Sequence, residues 1–201
     1  MDYYQIIANN FQATIESIAL SVDDLVDPLT RASALMSSAL LQDRKILCCG
    51  NGVDAALAQL FASSLLDRFE RDRPALPALN LAADGASVTA IGSHSGVSEL
   101  FSRQIRALGQ AGDVLLCINS AGSEADNLLR AAQAAGEREI GVVALTSDGA
   151  GQLNSLPGQD DVSIHVDTNR RPRNVEIHTM IIHCLCELLD QALFGPHHLE
   201  T

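Results

Sequence analysis

Apolar side chains recur at helical spacing along the start of the chain. Ile7, Phe11, Ile15 and Ile18 share one face of a helix over about residues 3–20, and a second apolar stripe predicts another helix over about residues 23–42. A helix with a single apolar stripe needs a surface to pack against. We therefore expect residues 1–42 to form a helical hairpin that is used in oligomerisation.

The pattern changes after residue 43 to short apolar runs separated by helical stretches. The β-prone runs are 45–49, 78–81, 113–118, 140–145 and 162–166, and helical patterns occupy about 54–70, 98–109, 123–136 and 173–194. Strands that are apolar on both faces and alternate with helices indicate a parallel sheet covered on both sides. We predict an α/β fold, a three-layer α/β/α sandwich with a five-stranded parallel sheet. It forms one domain over 1–201, with its α/β core at 43–195.

Charge and composition restrict the partners. The net charge is −12, with 13 Lys and Arg against 25 Asp and Glu, which opposes direct contact with a nucleic-acid backbone. Five cysteines lie inside apolar runs, as reduced and buried thiols do in cytoplasmic proteins. The longest apolar runs fall well short of the ~20 residues that span a membrane. We expect a cytoplasmic protein that binds neither membrane nor nucleic acid.

The loop after the first predicted strand has the form of a phosphate cradle. Gly50, Asn51 and Gly52 end an apolar run and pass directly into a helical pattern. Free backbone N–H groups and the helix dipole favour an anion at such a helix start. Asn51 and Gly52 are therefore candidate ligand-binding residues. Asp54 argues against an anion, because its carboxylate would stand where the anion binds.

The loop after the third predicted strand is a second candidate. Ser120 and Ser123 offer hydroxyl donors, and Gly122 allows close backbone approach to a ligand. The carboxyl ends of parallel strands meet at one edge of a sheet, so both loops should face the same cleft. Ser123 is equally suited to cap the next helix. Glu124 would stabilise that helix start without a ligand.

Histidine and arginine supply the remaining candidates. His178 shares a helix face with apolar residues and is expected to be packed, whereas His183 lies on another face that could reach a cleft. The group Arg170, Arg171 and Arg173 is either a solvated loop or a contact for a phosphate or an acidic neighbour. Metal-ligand spacings such as Cys-x-x-Cys or His-x-x-x-His do not occur. We expect neither a metal nor a cofactor.

Several of these segments, taken in order, resemble the SIS (sugar isomerase) domain family, in its phosphoheptose isomerase and DiaA-type branch. They are KILCCGNG at 45–52, DRFERDRP at 67–74, 104–109 with 112–116, 143–146 and 182–190, so the resemblance covers nearly the whole chain. It implies a flavodoxin-like sandwich, assembled as a homotetramer with sites at subunit interfaces. In the isomerases, it implies that a Glu and a His move protons on sedoheptulose 7-phosphate, often beside a zinc ion.

The chain departs from the isomerase pattern at the residues that carry this chemistry. Asp54 replaces a serine of the first loop, Leu60 and Ser64 replace the zinc histidine and the glutamate, and Val175 replaces a glutamine. His183 remains at the catalytic position. A lone acid without its base loses most of the ~10²–10⁴-fold contributed by each proton-transfer group.

These departures lead us to expect a non-catalytic homotetrameric scaffold, similar to DiaA, that binds the replication initiator DnaA. Leu193 and Phe194, just before a helix stop, are the candidate partner-binding residues; packing against a neighbouring subunit explains them equally well. The alternative is a phosphoheptose isomerase or another sugar-phosphate isomerase. A sugar-phosphate-binding module without turnover is a third possibility.

Overall fold

The five strands form one parallel sheet in the order β2-β1-β3-β4-β5. The computed structural model describes residues 1–155, 158, 161–166, 168 and 170–196. Residues 197–201 of the predicted domain therefore lie outside the described residues. The strands are β1 (Ile46–Gly50), β2 (Ala78–Asn80), β3 (Val114–Asn119), β4 (Gly141–Ser147) and β5 (Val162–Val166). The predicted parallel sheet is confirmed.

Six α-helices and two short 3₁₀ helices surround the sheet within the described residues. The α-helices are α1 (Tyr3–Leu41), α2 (Val53–Leu66), α3 (Gly85–His94), α4 (Ser102–Leu108), α5 (Asp126–Glu137) and α6 (Arg171–Phe194). The 3₁₀ helices are Val97–Glu99 and Gly151–Asn154.

The sheet separates two apolar clusters, because alternate side chains of each strand point to opposite faces. Ile46 and Cys48 of β1 pack with α1, α2 and α6, whereas Leu47 and Cys49 pack with α4 and α5. Phe61 of α2 is the largest fully buried side chain. These clusters are the two interfaces of the predicted three-layer sandwich.

The predicted N-terminal hairpin is wrong, because residues 3–41 form one continuous helix of 39 residues, about 58 Å long. Residues 20–23 contain neither Gly nor Pro to end the helix. The Ser21 hydroxyl donates to the Ser17 carbonyl at 2.7 Å and so stays within the helix. The buried residues of α1 all lie in its second part, from Leu25 onward. The first part leaves Tyr4, Phe11 and other apolar side chains exposed.

The five thiols are free, and all but one are buried. Cys48, Cys49, Cys117 and Cys186 are buried, and Cys184 is half-buried. Burial raises the pKa of Cys186 to about 12. The Cys186 thiol is therefore not a nucleophile near neutral pH, and the four buried cysteines serve as small apolar core residues.

Helix α6 is the one described helix long and apolar enough to cross a membrane by length and composition. Its buried side chains Ile177, Ile181 and Leu185 belong to the core between α1, α2 and the sheet. Packing therefore accounts for its apolar composition.

Candidate functional site

The two candidate loops meet at the carboxyl edge of the sheet. Strand β2 lies on one side of β1, and β3 lies on the other. The order in which strands are added to the sheet therefore changes direction between β1 and β3. Loops that follow the two strands at such a reversal border one crevice, where open parallel sheets bind ligands. Residues 51–54 follow β1, and residues 120–125 follow β3.

The Asn51 side chain forms hydrogen bonds with a residue of α5. Its Nδ2 donates to Asn127 Oδ1 at 2.9 Å, and Asn127 Nδ2 donates back to Asn51 Oδ1 at 2.8 Å. This reciprocal amide pair joins the start of α2 to the start of α5. Asn51 therefore shapes the site through its side chain, while Gly52, exposed and at φ +60°, is the N-cap residue that precedes α2. Sequence reasoning missed Asn127, which lies 76 residues away.

Asp54 is the buried centre of this edge. The Ser120 backbone N–H donates to its Oδ2 at 3.1 Å, and the Ser120 hydroxyl donates to its Oδ1 at 2.5 Å. Asp54 is 1% exposed and Ser120 is fully buried. Burial raises the pKa of Asp54, opposed by the hydrogen bonds from Ser120 and by the charge of Arg171. The carboxylate thus ties α2 to the end of β3.

Gly50 fixes how closely α2 approaches the sheet. A Cβ at this position would lie 2.6 Å from the carbonyl carbon of Asp54 and 2.8 Å from its Cβ. Any side chain at residue 50 would therefore displace the first turn of α2. The position of the Asp54 carboxylate follows directly from this close contact.

The second loop leaves donors exposed. Helix α5 begins at Asp126 after Ala125, and no side chain caps it, so the alternative in which Ser123 caps this helix is wrong. The helix starts two residues too late for such a cap, because Ala125 is still extended, and the Ser123 carbonyl accepts from Asn119 Nδ2 at 2.9 Å. Ser123 is exposed, and Gly122 is exposed with φ +65°. The Glu124 side chain lies against Gly151, and the acidic residue in the first turn of α5 is Asp126.

The arginine group divides into two roles. Arg173 is buried against α1, where it donates to the Asn10 carbonyl and the Thr14 hydroxyl and pairs with Glu176 at 2.6 Å. Arg170 and Arg171 are exposed at the start of α6. The charge of Arg171 lowers the pKa of Asp54, by less than burial raises it. Positive charge thus reaches the crevice from α6.

The two histidines of α6 differ as predicted. His178 is fully buried and lies 3.3 Å from the Thr146 carbonyl through Nε2. His183 is exposed, and its ring centroid lies 5.7 Å from that of Phe69. It stands 12 residues beyond Arg171, or about 18 Å along the helix. The loop after β3 contacts the first turn of α6, so within one chain His183 lies more than two helical turns away from that contact.

Neither a glutamate nor a metal-ligating histidine stands at the two positions of α2 where the resemblance to the isomerases places them. Leu60 is half-buried, and the Ser64 hydroxyl donates to the Leu60 carbonyl at 2.8 Å. Among the described residues, no group of three or more His, Cys, Asp or Glu side chains is placed to hold a metal ion.

Leu193 and Phe194 are half-buried and pack against the core. The Arg71 guanidinium carbon lies 5.7 Å from the Phe194 ring centroid, and Arg71 Nη1 donates to the Gly195 carbonyl at 2.8 Å. These contacts hold the end of α6 against the segment that follows α2 in the same chain. Sequence reasoning missed Arg71.

The SIS domain family model matches residues 10–147, which is more than half of the chain. The chain belongs to the SIS domain family. Its curated relatives include the phosphoheptose isomerase of Chromohalobacter salexigens, 45% identical over 97% of this chain and 98% of the relative. The phosphoheptose isomerase of Coxiella burnetii is also 45% identical, over 96% of both chains.

Solved structures place this SIS domain in the same branch. A phosphoheptose isomerase from Francisella tularensis superposes with a TM-score of 0.90 at 37% identity, covering 95% of this chain and all of the other. That from Neisseria gonorrhoeae gives 0.88 at 36% identity, covering 94% of this chain and all of the other.

The predicted DiaA-like scaffold that binds DnaA is wrong. Relatives that match this SIS domain over nearly its whole length are named phosphoheptose isomerases, and nothing in the comparisons indicates DiaA or binding of DnaA. The prediction gave decisive weight to a few replaced side chains. Similarity over the entire chain outweighs those positions.

Proposed function

We propose that this chain is a sugar-phosphate isomerase of the phosphoheptose isomerase type. Its ligand's phosphate binds at the carboxyl edge of the sheet, between Gly52 and the exposed segment Gly122–Ser123. The observation that carries the proposal is the meeting of these two loops through the hydrogen bonds from Ser120 to Asp54, in a chain 45% identical to phosphoheptose isomerases over nearly its full length. Ser123 offers a hydroxyl donor, and Gly122 admits close backbone approach.

The proton transfers are assigned to His183. Aldose–ketose isomerisation moves protons between neighbouring carbon and oxygen atoms, which requires a positioned acid or base. A His183 that is exposed and about 18 Å along α6 from Arg171 is well placed to serve the crevice of another subunit. The proposed site is therefore completed between subunits of a homotetramer.

Exposed apolar side chains support this assembly. Tyr3, Tyr4, Ile7, Phe11 and Ile15 are each more than half exposed on the first part of α1. Apolar stripes of this kind mark interaction surfaces. We propose that residues 1–42 contribute to oligomerisation of one cytoplasmic domain over 1–201.

Sugar-phosphate binding without turnover is the second candidate function. It is favoured by Leu60 and Ser64, since neither side chain ligates zinc or accepts a proton at neutral pH. In this case the domain senses its ligand, and the sugar phosphate stabilises the fold by mass action.

We expect the purified protein to isomerise sedoheptulose 7-phosphate, with kcat falling about 100-fold in His183→Ala because a proton-transfer group is removed. Glu187→Gln is the matched control, since it alters an exposed side chain one turn further along α6. Turnover is followed by product formation, and binding by a thermal-shift titration.

The outcomes separate the two candidates. Turnover that depends on His183 supports the isomerase. Binding without turnover in the native protein selects the sensor. An absence of both binding and turnover contradicts each candidate.

A further inference from the structure

We propose that Asp54 acts as an internal anion that competes with the ligand's phosphate for the donors of Ser120. This inference rests on the proposed function, because it concerns how that same site discriminates among ligands. It makes Asp54 the residue that sets the affinity for phosphorylated sugars.

The first step is the direction of the Ser120 donors. The backbone N–H and the hydroxyl of Ser120 converge on one carboxylate, at 3.1 Å and 2.5 Å from its two oxygens. Charge-assisted hydrogen bonds of this length are stronger than those between neutral groups. An incoming phosphate, which also needs donors, finds both groups already engaged.

The second step is that the carboxylate has little freedom to withdraw. Asp54 is 1% exposed, and Gly50 holds its backbone against the end of β1 at a distance that no side chain would allow. A ligand that needs the Ser120 donors must therefore displace a buried group. The apparent affinity for phosphate is then the affinity of molecules with free Ser120 donors, multiplied by the fraction of molecules in that state.

The third step is charge. The exposed Arg171 acts on Asp54 by its charge, and the carboxylate reduces the attraction that Arg171 offers a second anion. An anion bound beside the carboxylate also meets its repulsion. Blocked donors and opposing charge act in the same direction, so phosphate binds less tightly than it would without the Asp54 carboxylate.

The test compares binding of sedoheptulose 7-phosphate and of inorganic phosphate by titration calorimetry. We expect Asp54→Ser to lower Kd at least tenfold, since serine removes the charge and releases the Ser120 donors. Asp54→Asn should also tighten binding, by less, because its amide oxygen still accepts from Ser120. Asp72→Asn is the control, since it removes one carboxylate from an exposed loop between α2 and β2.

Each outcome has a distinct meaning. Tighter binding in both Asp54 variants, with Asp72→Asn unchanged, supports the competition. An Asp54→Ser protein that folds and binds with the native Kd overturns it and leaves the proposed function standing. If no protein in the series binds either ligand, the proposed function fails as well. Thermal unfolding checks each variant, and Asp54→Asn carries the test if Asp54→Ser does not fold.

Discussion

Arg73→Ala should lower the free energy of unfolding by about 3–5 kcal/mol, as the loss of one partner from a buried ion pair does. Arg73 Nε lies 2.6 Å from Asp190 Oδ1, and the two side chains are 2% and 7% exposed. The guanidinium also donates to the carbonyls of Ser64, Leu65 and Pro74 at 2.7–3.0 Å. Its removal leaves a buried carboxylate and several carbonyl groups without this partner.

Arg68 provides the matched control in the same segment. It pairs with Asp72, four residues later in the chain, and the two side chains are 57% and 89% exposed. Such a solvated pair contributes about 0–1 kcal/mol, so Arg68→Ala should change stability little. Chemical denaturation measures both variants. Equal effects of Arg73→Ala and Arg68→Ala would show that Arg73 is not a structural anchor.

Acidification should destabilise the protein through His178 by roughly 3 kcal/mol between pH 7 and pH 4. Burial lowers the pKa of His178 from 6.5 to about 4. Nε2 faces the Thr146 carbonyl, which only accepts, so the neutral tautomer carries its proton there, and Nδ1 is buried without a hydrogen-bond partner. A second proton on the ring would be buried with no acceptor.

The sign follows from proton uptake. Below pH 6.5 the unfolded chain binds a proton at His178, whereas the folded protein does so only near pH 4. The unfolded state is therefore favoured as the pH falls through this interval. Asp54 acts in the opposite direction, because its pKa is raised in the folded protein.

The measurement is the free energy of unfolding against pH in the native protein and in His178→Gln. The variant should be less stable at pH 7 but lose less stability between pH 6.5 and pH 4. Parallel curves for the two proteins would contradict a buried neutral imidazole.

The sheet could be predicted because its strands are apolar on both faces and separated by helical patterns. Every predicted run from 45–49 to 162–166 overlaps a strand of the structure. The predicted break between two N-terminal helices, at residues 20–23, does not occur in the structure. Ser21 and Asp23 are common at helix starts, yet neither forces an end, and packing of the second part against α6 favours continuation.

The candidate site was predictable in position and not in detail. Gly52 and the segment 120–123 reach the expected edge, since the order of strands brings their loops together. The Asn51–Asn127 pair and the burial of Asp54 against Ser120 join residues 76 and 66 positions apart. Contacts of this range depend on the packed fold and leave no local pattern in the sequence.

Arg73 illustrates the same limit for stability. It belongs to the highly charged segment 67–73, which has the composition of a solvated loop. Only the tertiary position of Asp190, 117 residues later, makes it a buried partner.

The most direct test is a crystal structure of the protein with sedoheptulose 7-phosphate at saturating concentration. We expect the phosphate at the carboxyl edge of the sheet, within hydrogen-bond distance of residues 120–123, and the sugar extending toward His183 of another subunit. A phosphate bound elsewhere, or a crevice that stays empty at saturation, would contradict a sugar-phosphate site at this edge.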